Sequence, residues 1–303
     1  MHIFIIDPKY VMARISESVF RGHGWRSTVI QDYAAAIGQI MRDVPNAIVI
    51  QGDGVSGGAA HLCQRLKGNA LTAGIPIVHI EEAIPTPWMV TGVPADAVLQ
   101  MPWDPDELIQ QIDMIVPMNS KDDELDDLTN LPRRRAVMGD LAKRIRAKES
   151  FTIAHLSFRL LDAYRQDYGR MGADQFAVIV SLLLRRHDAG SAPASFAYLD
   201  DGSFIVIGDE SQVTGIVSNA ARDFEVLVPT FYDTSAMFGA ETDQADGPLT
   251  WVGLHAAVLQ VGAGAYDNFL QIGYALSDLI EEGERAMFQR ATIGQEVSST
   301  IAA

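Results

Sequence analysis

Three short stretches of the sequence hold residue types that could do chemistry. The first is Asp200-Asp201-Gly202-Ser203, which lies between the apolar runs Ser195–Leu199 and Phe204–Ile207. An Asp-Gly step between apolar strands predicts a hairpin turn in its own right. The second is Arg185-Arg186-His187-Asp188. Arginine can grip a phosphate bidentately, and a carboxylate can read a base edge. The same four residues also suit a plain helix end, with the basic side chains satisfying the last carbonyls before Gly190. The third is the glycine-rich run Gly52-Asp53-Gly54-Val55-Ser56-Gly57-Gly58 after a strand. A phosphate cradle would want a Gly-Lys-Ser/Thr opening a helix, and this run has no lysine, so it reads as a loop. The seven histidines are scattered without metal-binding spacing. The single cysteine, Cys63, excludes an intramolecular disulfide and a cysteine-rich zinc site.

The 303 residues can form two domains with full cores. Lys and Arg number 23 against 39 Asp and Glu, a formal charge of −16. That balance offers no footprint for a phosphate backbone, so nucleic acid is not an expected partner. The one basic cluster, Arg133-Arg134-Arg135 with Lys143, Arg144, Arg146 and Lys148, reads as a solvated helix face. No apolar run is long enough for a membrane span. The first residues read as a β-strand and not a signal peptide, so a cytoplasmic protein is expected.

The elements that must position these groups begin with alternation. Apolar strands are predicted at His2–Ile6, Arg26–Val29, Ala47–Ile50, Ile75–Ile80 and Ala97–Leu99. Helical spacing falls between them, and Asp104-Pro105 opens a closing helix over Asp106–Val116. Strand–helix alternation gives a doubly wound parallel sheet, with function at the carboxyl ends of its strands. Asp7 after the first strand, Ile-Pro-Ile-Val-His-Ile at 75–80 and Met101-Pro102-Trp103-Asp104-Pro105 resemble a response-regulator receiver domain over residues 1–117. The resemblance implies a flavodoxin-like fold and a phosphoacceptor Asp after the third strand. Here that position is Gln51, whose carboxamide is not a nucleophile. The hydroxyl position falls on Glu81 and the lysine position on Met101, and only Asp7 remains of the acidic pair. Asp53, two residues on, would be a shifted acceptor, but the lysine that role needs is missing. The resemblance further implies a homodimer through residues 85–116.

Residues 118–125 form a linker, rich in acids and opened by Pro117. Next comes Asp126-Asp127-Leu128-Thr129-Asn130-Leu131-Pro132-Arg133-Arg134-Arg135. It resembles the opening motif of diguanylate cyclase (GGDEF) domains, Asp-x-Leu-Thr-Gly-Leu-x-Asn-Arg-Arg. Tyr168-Gly169, Ala173-Asp174 and Ala275–Gly283 keep the family's register. The resemblance covers residues 126–290 and implies a nucleotide-cyclase-like α/β domain with a mixed sheet of about five strands. Residues 291–303 read as a flexible tail.

Cyclisation of GTP needs two metal ions. The family's metal-binding Asp falls on Ser157, and the acid two residues on falls on Arg159. The phosphate-binding Lys becomes Asp162, and the guanine-reading Asn becomes Arg165. The signature Gly-Gly-Asp/Glu-Glu-Phe becomes Asp200-Asp201-Gly202-Ser203-Phe204, so its acids fall on Gly202 and Ser203 and only Phe204 is kept. The phosphate-contacting Lys of the last helix becomes Ile280. The family's inhibitory cyclic di-GMP motif, Arg-x-x-Asp, falls on Ser191 and Ala194. The shifted pair Arg185 and Asp188 is its alternative. The expectation is a non-catalytic signalling protein with no cofactor and with signalling proteins as partners. Cyclic di-GMP is the ligand the alternative would add.

Overall fold

The computed structural model describes residues 1–52, 57–81, 93–116, 125–188, 192–199, 201–232 and 251–283. Asp53, Ser191, Asp200, most of the 118–125 linker, the 291–303 tail and part of the 85–116 dimer face lie outside them. By contact the chain divides into two units. One holds residues 1–126, 133–147 and 266–274, and the other holds 127–132, 148–265 and 275–303.

The first unit is built on β1 (His2–Ile6), β2 (Arg26–Ile30), β3 (Ala47–Gln51), β4 (Ile77–Glu81) and β5 (Ala97–Gln100). All pairings are parallel, in the order β2-β1-β3-β4-β5. That is the flavodoxin-like doubly wound order. The inner strands read as near-continuous apolar runs because helices cover both faces, and Ile3, Ile6, Ile48 and Ile50 are fully buried. The helices are α1 (Val11–Gly22), α2 (Tyr33–Ile40), α3 (Gly58–Lys67) and α4 (Pro105–Ile115). Asp104 caps α4 as its sequence predicts, accepting from the amides of Asp106 at 2.7 Å and Glu107 at 3.4 Å. Cys63 is fully buried on α3, and burial pushes its thiol up to about 12, so it is a core side chain and not a reactive one.

Helix α5 (Arg134–Ala147) belongs by contact to this first unit. Arg135, Lys143, Arg146 and Lys148 are exposed, as the charge pattern suggests, but the start of the cluster is also tied inward. Arg134 is buried and donates to the Leu71 carbonyl. Arg135 donates to the Val44 carbonyl at 2.9 Å and lies 3.8 Å from Asp43. Arg133 pairs with Asp126 at 3.2 Å. A guanidinium carries donors enough to satisfy helix and loop carbonyls that nothing else reaches, and its stem packs as an apolar side chain.

The second unit runs β6 (Phe151–Arg159), α6 (Leu161–Arg186), β7 (Ser195–Tyr198), β8 (Phe204–Gly208), α7 (Glu210–Leu227) and β9 (Gly253–Val261). The strand order is β7-β8-β6-β9 and every pairing is antiparallel. Among the described residues the sheet therefore has four strands and no parallel neighbours, where a mixed sheet of about five was expected. The split β-α-β connection is the reason. Strands β6 and β7 run the same way, but β8 lies between them, and β6 likewise separates β8 from β9.

Helix α6 breaks at Gly169, whose backbone sits at φ 80° and ψ 170°. Its core side chains, Tyr164, Phe176, Val180 and Leu184, pack with Phe204, Val206, Val213 and Phe224. Helix α7 is absent from the sequence reading above, although Val213, Ile216, Val217, Ala220 and Phe224 form its buried stripe. No helix among the described residues is long and apolar enough to cross a membrane.

Candidate functional site

Two places collect the predicted site residues, one in each unit. In the first unit they are at the carboxyl ends of β1 and β3. Asp7 is fully buried. One of its oxygens accepts from the Lys9 amide at 2.9 Å and the other from the Ala13 amide at 2.8 Å. The carboxylate thus satisfies backbone donors at the start of α1, whose own cap position, Tyr10, makes no side-chain cap. Gln51 ends β3 and is 4 % exposed. Its carbonyl accepts from the Tyr33 hydroxyl at 2.6 Å. Its side-chain Oε1 is buried with no hydrogen-bond partner among the described residues.

Gly52 explains part of the crowding. Its amide donates to the Ile80 carbonyl at 2.7 Å, and a Cβ there would lie 2.9 Å from that same oxygen. Only glycine lets β3 and β4 approach so closely. Glu81 ends β4, and Met101 donates its amide to the Glu81 carbonyl at 2.8 Å.

In the second unit Ser157, Gly202 and Ser203 line one cleft. It has a volume of about 200 Å³ and is lined by His155, Ser157 and Phe158 of β6, Leu161, Asp162 and Arg165 of α6, and Asp201, Gly202 and Ser203 of the hairpin. The hairpin turn passes through Gly202 at φ 85°, a conformation glycine adopts without strain. Asp201 accepts from the Ser203 amide at 3.0 Å and from the Ser203 hydroxyl at 2.6 Å. Arg165 pairs with Asp162 at 2.6 Å. Phe204 does not reach the cleft. It is fully buried, with its ring 4.9 Å from Tyr198 and 6.0 Å from Phe158.

His155 was missed by motif matching. It stands two residues before Ser157 on β6, so alternation puts both on one face of the strand. Arg185 and Asp188 are elsewhere in the unit and do not meet. Arg185 donates to the carbonyls of Thr129 (3.4 Å) and Asn130. Asp188 accepts from the Ala194 amide at 3.1 Å and from Gln212 at 2.7 Å. Between them His187 pairs with Asp223 of α7 at 2.9 Å.

No protein-family model matches the chain, and no curated protein matches it. Solved structures do. A CheY-like receiver domain protein of Methanospirillum hungatei JF-1 is 14 % identical, with 38 % of this chain and 92 % of that one covered and a TM-score of 0.34. The receiver domain of the Francisella response regulator 1452 is 20 % identical, with 38 % and 95 % covered and a TM-score of 0.34. The coiled coil and GGDEF domain of DgcB from Caulobacter crescentus, solved with c-di-GMP, is 17 % identical, with 59 % and 88 % covered and a TM-score of 0.40. The strand orders themselves give one flavodoxin-like parallel sheet and one separate antiparallel sheet in the chain.

Proposed function

We propose that this chain is a non-catalytic signalling protein that works by binding other signalling proteins, with neither a phosphoacceptor nor a cyclase site. The observation that carries the proposal is the makeup of the cleft between β6, α6 and the hairpin. It offers a serine hydroxyl, an aspartate already accepting two hydrogen bonds from Ser203, and an aspartate paired with Arg165. Two divalent cations ask for several carboxylate oxygens, and a guanidinium in the same cleft opposes them. Among the described residues no three His, Cys, Asp or Glu side chains group as metal ligands. The cleft volume of about 200 Å³ is also below the ~300–1,000 Å³ of ordinary ligand pockets. In the receiver-like unit the same reading is supported by a carboxamide at Gln51 and an Asp7 committed to backbone amides.

The competing reading is a cyclic di-GMP receptor using Arg185 and Asp188. It would require Arg185 to leave the Thr129 and Asn130 carbonyls and Asp188 to leave Ala194 and Gln212. Calorimetric titration with cyclic di-GMP, then with GTP and Mg²⁺, tests both readings. Silence with both ligands is expected, together with no cyclic di-GMP formed from GTP above a no-protein blank. Product above that blank would overturn the non-catalytic reading. Saturable binding of cyclic di-GMP that is lost in Arg185→Ala would establish the receptor instead.

A further inference from the structure

A second cavity belongs to the first unit. Its volume is about 460 Å³, within the ~300–1,000 Å³ of ordinary ligand pockets. All of its walls come from that unit. Two of them repeat one pattern. The end of α2 supplies Gly38, Met41 and Arg42, and α5 supplies Ala142, Ile145 and Arg146. Each set is a small residue, an apolar residue and an arginine at i, i+3 and i+4, the spacing of one helix face. The small residues make the room, and a Cβ at Gly38 would meet no atom within 4 Å. The third wall opens the helix over residues 269–283, where Phe269 is buried and Asp267 is exposed. That helix start is capped from within. The Gln271 amide donates to Asn268 at 3.1 Å, and the Asp267 amide donates to the Gln271 side chain at 2.8 Å. The Asp267 carboxylate and the Arg42 guanidinium make no hydrogen bond or ion pair with another side chain or the backbone among the described residues. Arg146 uses only its Nε, on the Ala142 carbonyl at 3.0 Å.

We propose that this cavity binds a small organic anion, with its acid group held by the guanidiniums of Arg42 and Arg146 and its apolar body against Met41, Ile145 and Phe269. The sign follows from the balance of charge. Two guanidiniums line the cavity against one carboxylate, in a chain whose formal charge is −16. An arginine at a helix C-terminus also serves the last carbonyls and the dipole, as Arg146 does through its Nε. That role takes one donor of the five a guanidinium carries. The outer nitrogens are left, and their fork matches the oxygens of a carboxylate or a phosphate. Asp267 is an acceptor for a hydroxyl or amino group on the same ligand. The apolar walls and the charged rim together are the makeup of a small-molecule site, in which apolar surface holds the body and a few polar groups set its orientation.

Calorimetric titration of the full chain with phenyl phosphate and with phenylacetate tests the proposal. Inorganic phosphate lacks the apolar body and benzylamine reverses the charge, so these two are the controls. Saturable binding of at least one of the two anions is expected, about fivefold or more tighter than either control. Arg42→Gln and Arg146→Gln are each expected to weaken it about fivefold or more. Gly38→Leu fills the space and is expected to abolish binding. Leucine favours a helix over glycine, so this variant is expected to stay folded by circular dichroism. No saturable binding of either anion would overturn the proposal, and so would benzylamine or inorganic phosphate binding as tightly as the anions. Binding that survives in folded Gly38→Leu, or that neither arginine variant weakens, would place the ligand elsewhere and overturn it equally.

Discussion

The carboxyl ends of β1 and β3 and the cleft beside β6 each gather polar side chains, but the two regions fill their space in different ways. In the parallel sheet, Asp7 and Gln51 are sealed, at 0 % and 4 % exposure, and Asp7 works as structure for the start of α1. In the antiparallel sheet, the partly exposed Ser157 and the exposed Asp201 line an open cleft, and Asp201 accepts from Ser203 within the hairpin. A buried acid in a sealed end contributes to folding, while the residues of an open cleft are left to contribute to a surface. The difference in burial therefore predicts different costs of mutation in the two places.

Phe204 gives the largest effect and the clearest break in any argument from motif retention. It matches the signature that the Asp200–Phe204 run resembles, yet it is fully buried among Phe158, Tyr198, Phe176 and Phe224. Phe204→Ala is expected to cost about 3–5 kcal/mol in denaturant unfolding, as for other large core truncations. A loss under about 1 kcal/mol would say that Phe204 is not kept for packing. Asp7 comes next. Asp7→Ala leaves the Lys9 and Ala13 amides without their acceptor and is expected to cost about 2–3 kcal/mol. Asp7→Asn keeps one oxygen acceptor and should cost less. If both variants are as stable as the parent, Asp7 is not a structural cap, and the contrast between the two regions fails at its sealed end.

The fold was more legible than the sites because the two are written in different signals. Apolar runs at His2–Ile6 and Ala47–Gln51 and the turn through Gly202 each specify local structure directly, and the sheets follow from them. Helix α7 was equally visible in its 213, 216, 217, 220 and 224 stripe, but no family motif marks it, so motif matching passed over it. Arg134 was illegible for a physical reason. A charge pattern assigns arginine to water, and nothing local reveals that the Leu71 carbonyl, 63 residues away, will take its donor. The same holds for Arg185 and Asp188, whose spacing suggests a ligand until their partners at Thr129, Asn130, Ala194 and Gln212 are placed by the fold. Sequence spacing specifies which groups share a strand face, as with His155 and Ser157. It does not specify which groups an internal partner has already claimed.

The smallest effects belong to the open cleft, and they sharpen the comparison most. Asp201→Ala removes the acceptor for the Ser203 amide and hydroxyl, but the turn is near solvent and water can replace it. The expected cost is about 1 kcal/mol or less. Asp162 is 86 % exposed in its side chain and Arg165 46 % exposed, so Arg165→Ala should change stability by less than about 0.5 kcal/mol, as for most surface ion pairs. Thermal unfolding of these variants beside Asp7→Ala measures the difference directly. A steep loss for Asp201 or Arg165 would make the cleft a folding element like the end of β1. A flat response at both positions leaves the cleft residues without a folding role, which is the contrast with the sealed end of β1.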